Sequence, residues 1–430
     1  MPFLGMRGTG DWTENERPED WRETILYLYP NGKAPLTAIM SMMDSEQTSD
    51  PHFHWFPKQM PVQAGEVTGT YTDSSLSTLY DPATNGTAQS GDVLYFQTDA
   101  RTAGEFREGH NAQPTVKQDP RYETVGRVTD TLQNGSDSYV AVTLREDADG
   151  TYDLDEADWI EVIGNSNPEG ATMPPSVSYD VEDRGNYTQI FRTPLSITRT
   201  ARQTRLRTGE ALNRMKKEAL ELHSIEMEKA FIWGIKSVVQ GANGKPERTT
   251  RGIKKAYEQF APGNIFDYRF DGDYSGDTWL DSGEEWFNDI LEKVFRHGET
   301  EKLALVGSGA LQAVNDLAKS GAHYNLEARE MAYGIKVVEW VTPHGTLYLK
   351  TAPLMTQSAN HRRSMLVIEP NRLRTRYVQD TMYKNDASED RNTNNSRDGT
   401  EEEYLTESGL EHHHELVGGF FSGMGFDNQV

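Results

Sequence analysis

The chain has 430 residues and a formal net charge of −24, because 67 Asp and Glu outnumber 43 Lys and Arg. It contains no cysteine, which excludes disulfides, thiolate zinc sites and cysteine nucleophiles. A surface this negative repels phosphate, so we do not expect tight, direct binding of DNA. A protein that encloses DNA without gripping it would suit this charge, and solubility or adaptation to high salt would explain it equally well.

The low hydrophobicity of the chain indicates that much of it is surface, extended arm or contact between chains. Hydrophobic residues make up 35% of the sequence, and the mean hydropathy is −0.73. No segment approaches the roughly 18 consecutive apolar residues of a membrane span, so no membrane partner is expected. Residues 1–11 lack the apolar core of a secretory signal.

The first half of the chain predicts one helix followed by strands. Residues 18–29 predict a short helix, and residues 53–198 predict a β-rich region. Turn-forming pairs at 134–135 and 149–150 separate segments of that region. The strand candidates within it are residues 91–96, 125–129, 139–144 and 159–163.

The last strand of this region is the clearest. Odd-numbered residues from Phe191 to Ile197 are predicted to face one way, and even-numbered residues from Arg192 to Thr198 the other way. Pro194 cannot donate a ladder hydrogen bond, so we expect an edge strand or an exposed arm.

Residues 200–234 predict one long helix, with its apolar face marked by a spacing of three and four. At about 1.5 Å per residue it would be a rod of roughly 45 Å. A long helix without chemistry on it is more typical of a scaffold than of a catalytic element. We expect its apolar stripe to pack on the late strands of its own chain and much of its charged face to stay free. The predicted stripe consists of Leu212, Met215, Ala219 and Leu222.

The second half predicts an α/β segment and then late strands. A link at 241–252 precedes a helix at 284–297, and a polar, acidic stretch at 384–402 predicts a mobile loop. A second helix is expected after residue 307, with Leu311, Val314 and Leu317 on one face. The predicted strands are residues 303–306, the hairpin 337–341 and 346–349, and residues 365–368, 373–378 and 404–421.

Gly307-Ser308-Gly309 follows a strand and opens a helix, as a dinucleotide fingerprint would. The third glycine position is Gln312, and no second strand with a terminal acid follows. We therefore favour a simple strand-to-helix turn with Ser308 as its cap.

Two acidic turns match parts of a calcium-binding loop. In the first, Ser282 stands where a bidentate Glu is required, and in the second, Arg145 stands at the first ligand position. We favour acidic hairpin tips over calcium sites. The partial matches are Asp271, Asp273, Ser275 and Gly276 in the first turn, and Asp147, Asp149, Gly150 and Glu156 in the second.

Three successive histidines, His412, His413 and His414, raise the possibility of a metal. In a strand, His412 and His414 would share a face, and a third ligand such as Glu415 or a neighbouring chain would be needed. We favour strand residues at a protein interface. No nucleophile elbow is present, and no carboxylate pair stands out. We therefore assign no catalytic, cofactor-binding or metal residues, expect no cofactor, and do not expect an enzyme.

The order of elements and several short stretches resemble the major capsid proteins of tailed bacteriophages, whose fold is the Hong Kong 97 type. The resemblance covers nearly the whole chain, and its weight lies in the collinear order of individually short motifs. The stretches are residues 25–30 (ILYLYP), 34–36 (APL), 54–55 (HW), 186–191 (NYTQIF), 250–253 (TRGI), 333–337 (YGIKV) and 404–407 (YLTE), the last leading to His414.

The resemblance implies an α+β fold made of an N-terminal arm, an extended loop, a peripheral domain with a long spine helix, and an axial domain. The β-rich block at about 85–165 is larger than a minimal extended loop and predicts an inserted small β-domain. The implied bounds are 1–52 for the arm, 53–198 for the extended loop, 199–250 and 365–430 for the peripheral domain, and 251–364 for the axial domain.

The resulting hypothesis is a major capsid protein that self-assembles into the icosahedral head of a tailed phage and encloses double-stranded DNA without strong direct binding. The implied partners are copies of itself in pentamers and hexamers, with scaffolding, portal and decoration proteins. The implied location is the virion, after synthesis in the host cytoplasm. The alternatives are another virion component, such as a decoration or tail protein, and a secreted or halophilic hydrolase with a β-domain.

Overall fold

A computed structural model of the protein describes residues 44–58, 61–116, 124–147, 154–204, 210–320, 327–331, 335–384 and 399–430. Residues 58–182 form one compact unit, and the rest of the described chain forms the other. Helices and sheets are mixed in sequence, so the predicted α+β class is confirmed. The predicted helix at 18–29 lies outside the described residues.

The strands are numbered here in chain order. In the first half they are β1 (Ser45–Gln47), β2 (His52–Trp55), β3 (Ala64–Glu66), β4 (Gly69–Tyr71), β5 (Val93–Gln97), β6 (His110–Thr115), β7 (Gly126–Leu132), β8 (Tyr139–Leu144), β9 (Trp159–Asn165), β10 (Arg184–Tyr187) and β11 (Gln189–Thr198). In the second half they are β12 (Ser237–Gln240), β13 (Pro246–Thr249), β14 (Ile265–Asp267), β15 (Glu301–Val306), β16 (Glu327–Met331), β17 (Ile335–Thr342), β18 (Gly345–Thr351), β19 (Met365–Ile368), β20 (Leu373–Lys384), β21 (Gly399–His412) and β22 (Gly419–Ser422).

The helices are numbered in the same way. They are α1 (Pro82–Asn85), α2 (Ala100–Glu105), α3 (Arg199–Gln203), α4 (Ala211–Trp233), α5 (Ile253–Phe260), α6 (Trp279–Phe295), α7 (Ser308–Ser320) and α8 (Pro353–Gln357).

The unit at 58–182 is a curled antiparallel sheet. Its strand order is β3-β9-β6-β7-β8-β5-β4, so β3 and β4 lie at opposite edges although only two residues separate them in sequence. Val67 N–H bonds Asp158 on one side and Thr68 N–H bonds Gln97 on the other, which brings the two edges together. The sheet thereby closes around a core that includes Phe96, whose side chain is fully buried.

The larger unit contains a mixed sheet of seven strands in the order β14-β22-β19-β15-β18-β17-β16. Its central strand β15 runs parallel to β18 and antiparallel to β19. Side chains alternate along a strand, and both faces of β15 are buried. Leu303 and Leu305 pack on one face with α5, while Ala304 and Val306 pack on the other with α6 and α7.

A second, four-stranded sheet has the order β1-β20-β21-β11. Strand β11 pairs with β21 over its whole length and lies at the edge of this sheet in the described part of the chain. Phe191, Thr193, Leu195 and Ile197 are buried, and Pro194 is exposed. The predicted edge strand and its two faces are therefore confirmed.

The long helix is shorter than predicted. Helix α3 ends at Gln203, Thr204 and Glu210 have extended backbones, and α4 begins only at Ala211. The Thr204 hydroxyl donates to the Thr200 carbonyl at 2.8 Å, a side-chain bond that competes with helix continuation. The 23 residues of α4 span about 34 Å.

Helix α4 packs on both sheets of the larger unit. Leu212 and Ala219 meet Leu195 and Ile197 of the four-stranded sheet. Further along, the helix joins the core on one face of the seven-stranded sheet, through Met227, Phe231 and Ile232. The predicted stripe packs chiefly on the returning strand β11, with Tyr383 and Tyr404 of the late strands beside it, and the end of the helix packs with Leu410 and Phe420 of the late strands.

His223 replaces Leu222 on the buried face of α4. Leu222 is 54% exposed and His223 only 1%, so the prediction for Leu222 is wrong by one residue. His223 Nδ1 lies 3.0 Å from the Thr193 hydroxyl and Nε2 lies 2.8 Å from that of Thr406. Burial lowers the pKa of His223, with Glu226 opposing it, and the neutral ring thereby bridges the helix to two adjacent strands.

Other differences have local causes. Residues predicted as a link form β13, which pairs with β12 in a hairpin. Helix α6 begins at Trp279 rather than residue 284, after the extended Thr278. Gly283 within it lies against the Trp279 indole, where a Cβ would come within 2.8 Å. Helix α5 was not predicted. Residues 399–402, expected in a mobile loop, belong to β21, and 385–398 lie outside the described residues.

The stretch predicted as one strand at 404–421 is broken at His414. His414 has a φ of 57°, which is a left-handed conformation, so the extended strand cannot continue through it. A turn of 3₁₀ helix at Glu415–Val417 follows before β22. The remaining predicted strands and the hairpin at Pro343 match observed elements within a few residues.

Lys302 in strand β15 and Glu369, which follows strand β19, form a buried ion pair. Lys302 Nζ contacts the Glu369 carboxylate and donates to the carbonyls of His297 at 2.8 Å and Val417 at 2.6 Å. The side chains of Lys302 and Glu369 are 0% and 2% exposed. Burial lowers the pKa of Lys302, while Glu369 opposes that shift. Glu369 also accepts the Glu299 N–H at 2.9 Å, so the pair ties three segments together.

We expect His223→Ala to lower the free energy of unfolding by about 2–4 kcal/mol, because it leaves a cavity and two hydroxyls without their bond. Urea unfolding of the unassembled chain measures the effect. Lys217→Ala, at an exposed position on the same helix, should change stability by less than about 0.5 kcal/mol. Equal losses in the two variants would contradict the bridging role of His223.

Lys302→Met should cost about 3–5 kcal/mol, since it leaves the buried Glu369 carboxylate without its buried partner and with only the partly exposed Arg372, 3.5 Å away, to pair with it. Replacing both residues, Lys302→Met with Glu369→Leu, should recover part of that loss because no unpaired charge remains. The same urea titration compares the single and double variants. A double variant less stable than Lys302→Met would show that the ion pair is not the source of the loss.

Candidate functional site

A two-stranded ribbon, which we call the stalk, leads into and out of the unit at 58–182. It consists of β2 and β10, paired antiparallel with His52 opposite Tyr187 and Trp55 opposite Arg184. Phe53 is buried, and its ring stacks on that of Trp55 with centroids 5.9 Å apart. The stalk is therefore packed as part of the larger unit.

The Asn186 side chain fixes the stalk to the rest of the larger unit. The two N–H groups on its Nδ2 are shared among three acceptors, the Thr250 hydroxyl at 3.0 Å and the carbonyls of Arg251 at 3.1 Å and Leu410 at 2.7 Å. Its Oδ1 accepts the Arg251 N–H at 2.8 Å. The side chain is 2% exposed. One amide thus joins β10, the segment before α5 and β21.

Arginine side chains add to this attachment. The Arg251 guanidinium donates to the Gly185 carbonyl at 2.8 Å. It also lies 4.7 Å from the centre of the Phe260 ring, with Arg184 at 3.8 Å from the same ring. Burial lowers the pKa of Arg251, with Glu415 opposing the shift. The stretches 186–191 and 250–253, which carried the resemblance, contain Asn186 and Arg251, but the sequence assigned them no contacts because their partners are far away in the chain.

Buried carboxylates on the four-stranded sheet near α4 form ion pairs with cationic side chains. Glu402, 4% exposed at its side chain, lies 3.3 Å from Lys216 of α4 and accepts from the Tyr383 hydroxyl. Glu403 pairs with Arg192 on the neighbouring strand at 2.6 Å. Glu402 faces the helix, whereas Glu403 and Arg192 lie on the opposite face of the sheet. Each carboxylate is thus paired with a cation on its own face.

Apolar side chains are exposed on the β12–β13 hairpin. Ile235, just before it, is 60% exposed, and Val238 and Val239 within it are 46% and 54% exposed. Successive strand residues point to opposite faces, so both faces of the hairpin offer apolar surface. A chain that contacts other copies of itself would use such surface for assembly.

An open groove of about 660 Å³ lies at the end of α4, between that helix and α8. Trp233 and His361 line it with their rings stacked 5.0 Å apart. Burial lowers the pKa of His361, and nearby Lys254 adds to the shift, which favours a neutral ring at neutral pH. The groove therefore offers stacked aromatic surface, with Lys229 as a charged residue in its lining.

The Gly307-Ser308-Gly309 turn is occupied by the protein itself. The N–H groups of Gly309 and Ala310 donate to the Arg362 carbonyl, and the Ser308 N–H donates to Thr356. A Cβ on Gly307 would come within 2.3 Å of that same carbonyl. The glycine permits a close backbone approach, which supports the simple turn over a phosphate site.

The acidic turns act as local caps. Asp271 accepts from the Trp286 indole at 2.9 Å and from the Asp273 N–H at 3.3 Å, and Ser275 donates to Val430 at 2.7 Å. In the second turn Asp147 accepts from the Ser90 N–H at 2.8 Å. Residues 149 and 150 lie outside the described residues.

The three histidines do not alternate as predicted, because the strand ends at His412. His412 is 3% exposed, and burial lowers its pKa to about 3, with His413 and His414 adding to the shift. Its ring packs against Tyr257 at 5.3 Å, while His413 pairs with Glu411. Within the described residues no three His, Cys, Asp or Glu side chains are grouped to hold a metal.

Comparisons with known proteins identify relatives along nearly the full length. A curated relative, the major capsid protein of Pseudomonas phage PaMx41, is 25% identical over 336 residues, covering 77% of this chain and 72% of the relative. A solved structure from Mycobacterium phage Bobi covers 95% of this chain and 96% of its own, with a TM-score of 0.46 and 10% identity. The capsid of a native GTA particle covers 96% and 97%, with a TM-score of 0.45 and 8% identity.

No helix in the described ranges is both long and apolar enough to cross a membrane. The family model described as SU10 major capsid protein matches residues 6–425. The sequence-based prediction of a phage major capsid protein is thereby confirmed, and the chain belongs to the SU10 major capsid protein family.

Proposed function

We propose that the chain assembles with copies of itself into the icosahedral head of a tailed phage and encloses double-stranded DNA there. The observation that carries this proposal is the family match over residues 6–425. The protein is a major capsid protein, and its place is the virion. Its function is then mechanical, and the chain contributes shape and contact surface rather than catalysis.

A Hong Kong 97-type arrangement fits the observed elements. We assign α4 as the spine helix and place β20 and β21 of the four-stranded sheet with it in the peripheral domain. We place α6, α7 and strands β14 to β18 of the seven-stranded sheet in the axial domain, while β19 and β22 of that sheet fall within the peripheral bounds. The proposed bounds stay at 1–52 for the arm, 199–250 with 365–430 for the peripheral domain and 251–364 for the axial domain. The extended loop at 53–198 carries the inserted β-domain, for which the closed sheet spanning β3 to β9 is the natural candidate.

The acidic balance supports enclosure of DNA without tight binding. Residues 58–182 hold 22 of the 67 acidic residues but only 7 of the 43 basic ones. The inserted unit is therefore the most strongly repelled by phosphate. Pentamers and hexamers, a scaffolding protein, the portal and a decoration protein are the partners we propose, with synthesis in the host cytoplasm.

Expression of the full chain, alone and with its candidate scaffolding protein, followed by negative-stain electron microscopy tests this function. Closed shells of uniform size are expected. Compact monomers that persist at every protein and salt concentration, with and without scaffolding, would contradict it.

The β12–β13 hairpin allows a sharper test. Val238→Ser with Val239→Ser should lower the yield of shells at least tenfold, because it removes apolar contact area between copies, while the free energy of unfolding of the unassembled chain changes by less than about 1 kcal/mol. Sedimentation measures the assembled fraction. Gln240→Ser in the same hairpin is the matched control and should assemble as the unmodified chain does. Normal assembly of the double variant would exclude the hairpin as a contact between copies.

A further inference from the structure

Four side chains form a continuous hydrogen-bonded row across the stalk, which we call the stalk relay. Asp183 Oδ1 lies 2.8 Å from His54 Nδ1, and His54 Nε2 lies 3.1 Å from His52 Nδ1. His52 Nε2 lies 3.5 Å from Lys236 Nζ, which also donates to the Gly185 carbonyl at 2.8 Å. Lys236 follows the last residue of α4 by three positions. The relay thus joins the stalk to the segment after the spine helix.

The two ends of the relay fix the direction of its hydrogen bonds. An ammonium can only donate, and a carboxylate can only accept. Lys236 therefore donates to His52 Nε2, His52 Nδ1–H donates to His54 Nε2, and His54 Nδ1–H donates to Asp183. In this direction of donation each ring donates from Nδ1 and accepts at Nε2. A second proton on Nε2 of His52 places an N–H against the Lys236 ammonium and breaks the row.

The groups around His52 disfavour its protonation in the folded chain, so acid acts on the relay at this residue. Its pKa is lowered by burial first, and then by His54 and Lys236, while Asp50 and Asp183 oppose the shift. Arg251 adds further positive charge near Lys236. A histidine whose folded pKa lies below its ordinary value of about 6.5 stabilises the fold above that pH. This contribution is lost as pH falls from about 6.5 through the folded pKa.

We propose that the stalk relay is a proton-sensitive latch, which mild acid opens between the stalk and the segment after α4 and which neutral pH closes. The tyrosine beside it supports this role. The His52 ring lies 4.5 Å from that of Tyr187, and Lys236 lies 4.8 Å from the same ring. A second cation at His52 would compete with Lys236 for that position. The inference concerns the isolated chain and does not depend on shell assembly.

Hydrogen exchange of the full chain at pH 7.5 and pH 5.0, read by mass spectrometry and corrected for the chemical exchange rate, tests the latch. Protection of the stalk at His52–Trp55 and Arg184–Tyr187 should fall at pH 5.0 about threefold to tenfold more than that of β19, which is buried and contains no histidine. An equal fall in stalk and β19 would overturn the proposal.

Three variants assign the effect to the relay. The Gln side chain in His52→Gln cannot take up a proton. In this variant the protection of the stalk should therefore fall at pH 5.0 no more than the protection of β19 does. Lys236→Gln should behave likewise, because an amide can donate to neutral His52 or accept from its protonated form. His344→Gln, at an exposed hairpin position, is the control and should show the same loss of stalk protection at pH 5.0 as the unmodified chain. A wild-type fall in His52→Gln would overturn the proposal, and if that variant does not fold, a wild-type fall in Lys236→Gln would do so.

Discussion

The seating of one helix on two sheets is the contact on which the larger unit depends. The first half of α4 packs on the four-stranded sheet through Leu212 and Ala219, and its second half packs on the seven-stranded sheet through Phe231 and Ile232. His223 lies between these regions and bonds hydroxyls on two strands. Because interiors are close-packed and stiff, a helix held at both ends fixes the distance between the sheets. A capsid protein needs such a fixed frame, since small errors in each copy would accumulate around a closed shell.

The stalk, the edge strand β11 and the β12–β13 hairpin lie at the margin of this packed core. The stalk is fixed by Asn186, the edge strand β11 carries the exposed Pro194, and the β12–β13 hairpin exposes apolar residues. Pro194 removes a donor from the open edge of the sheet and so discourages uncontrolled strand pairing. The packed interior thus holds the shape of the unit, and the exposed hairpin is the surface that we propose meets neighbouring copies.

Local pattern predicted the elements well where one face is apolar and the other polar. The alternation in β11 and the apolar β19 were visible in the sequence, as was the order of elements that indicated the family. Burial of polar residues was not visible. The predicted stripe included Leu222 and not His223, and Glu402 was assigned to a mobile loop. In the fold Thr193 and Thr406 bond His223, and Lys216 pairs with Glu402. The stalk relay was missed for a different reason, because its partners come from segments up to 184 residues apart.

The most direct test of this account is a cryo-electron microscopy reconstruction of particles assembled from the full chain. We expect a closed icosahedral shell in which every copy shows α4 as one rod seated on both sheets, with His223 between Thr193 and Thr406. Particles without icosahedral symmetry, or copies in which α4 has left either sheet, would contradict the account.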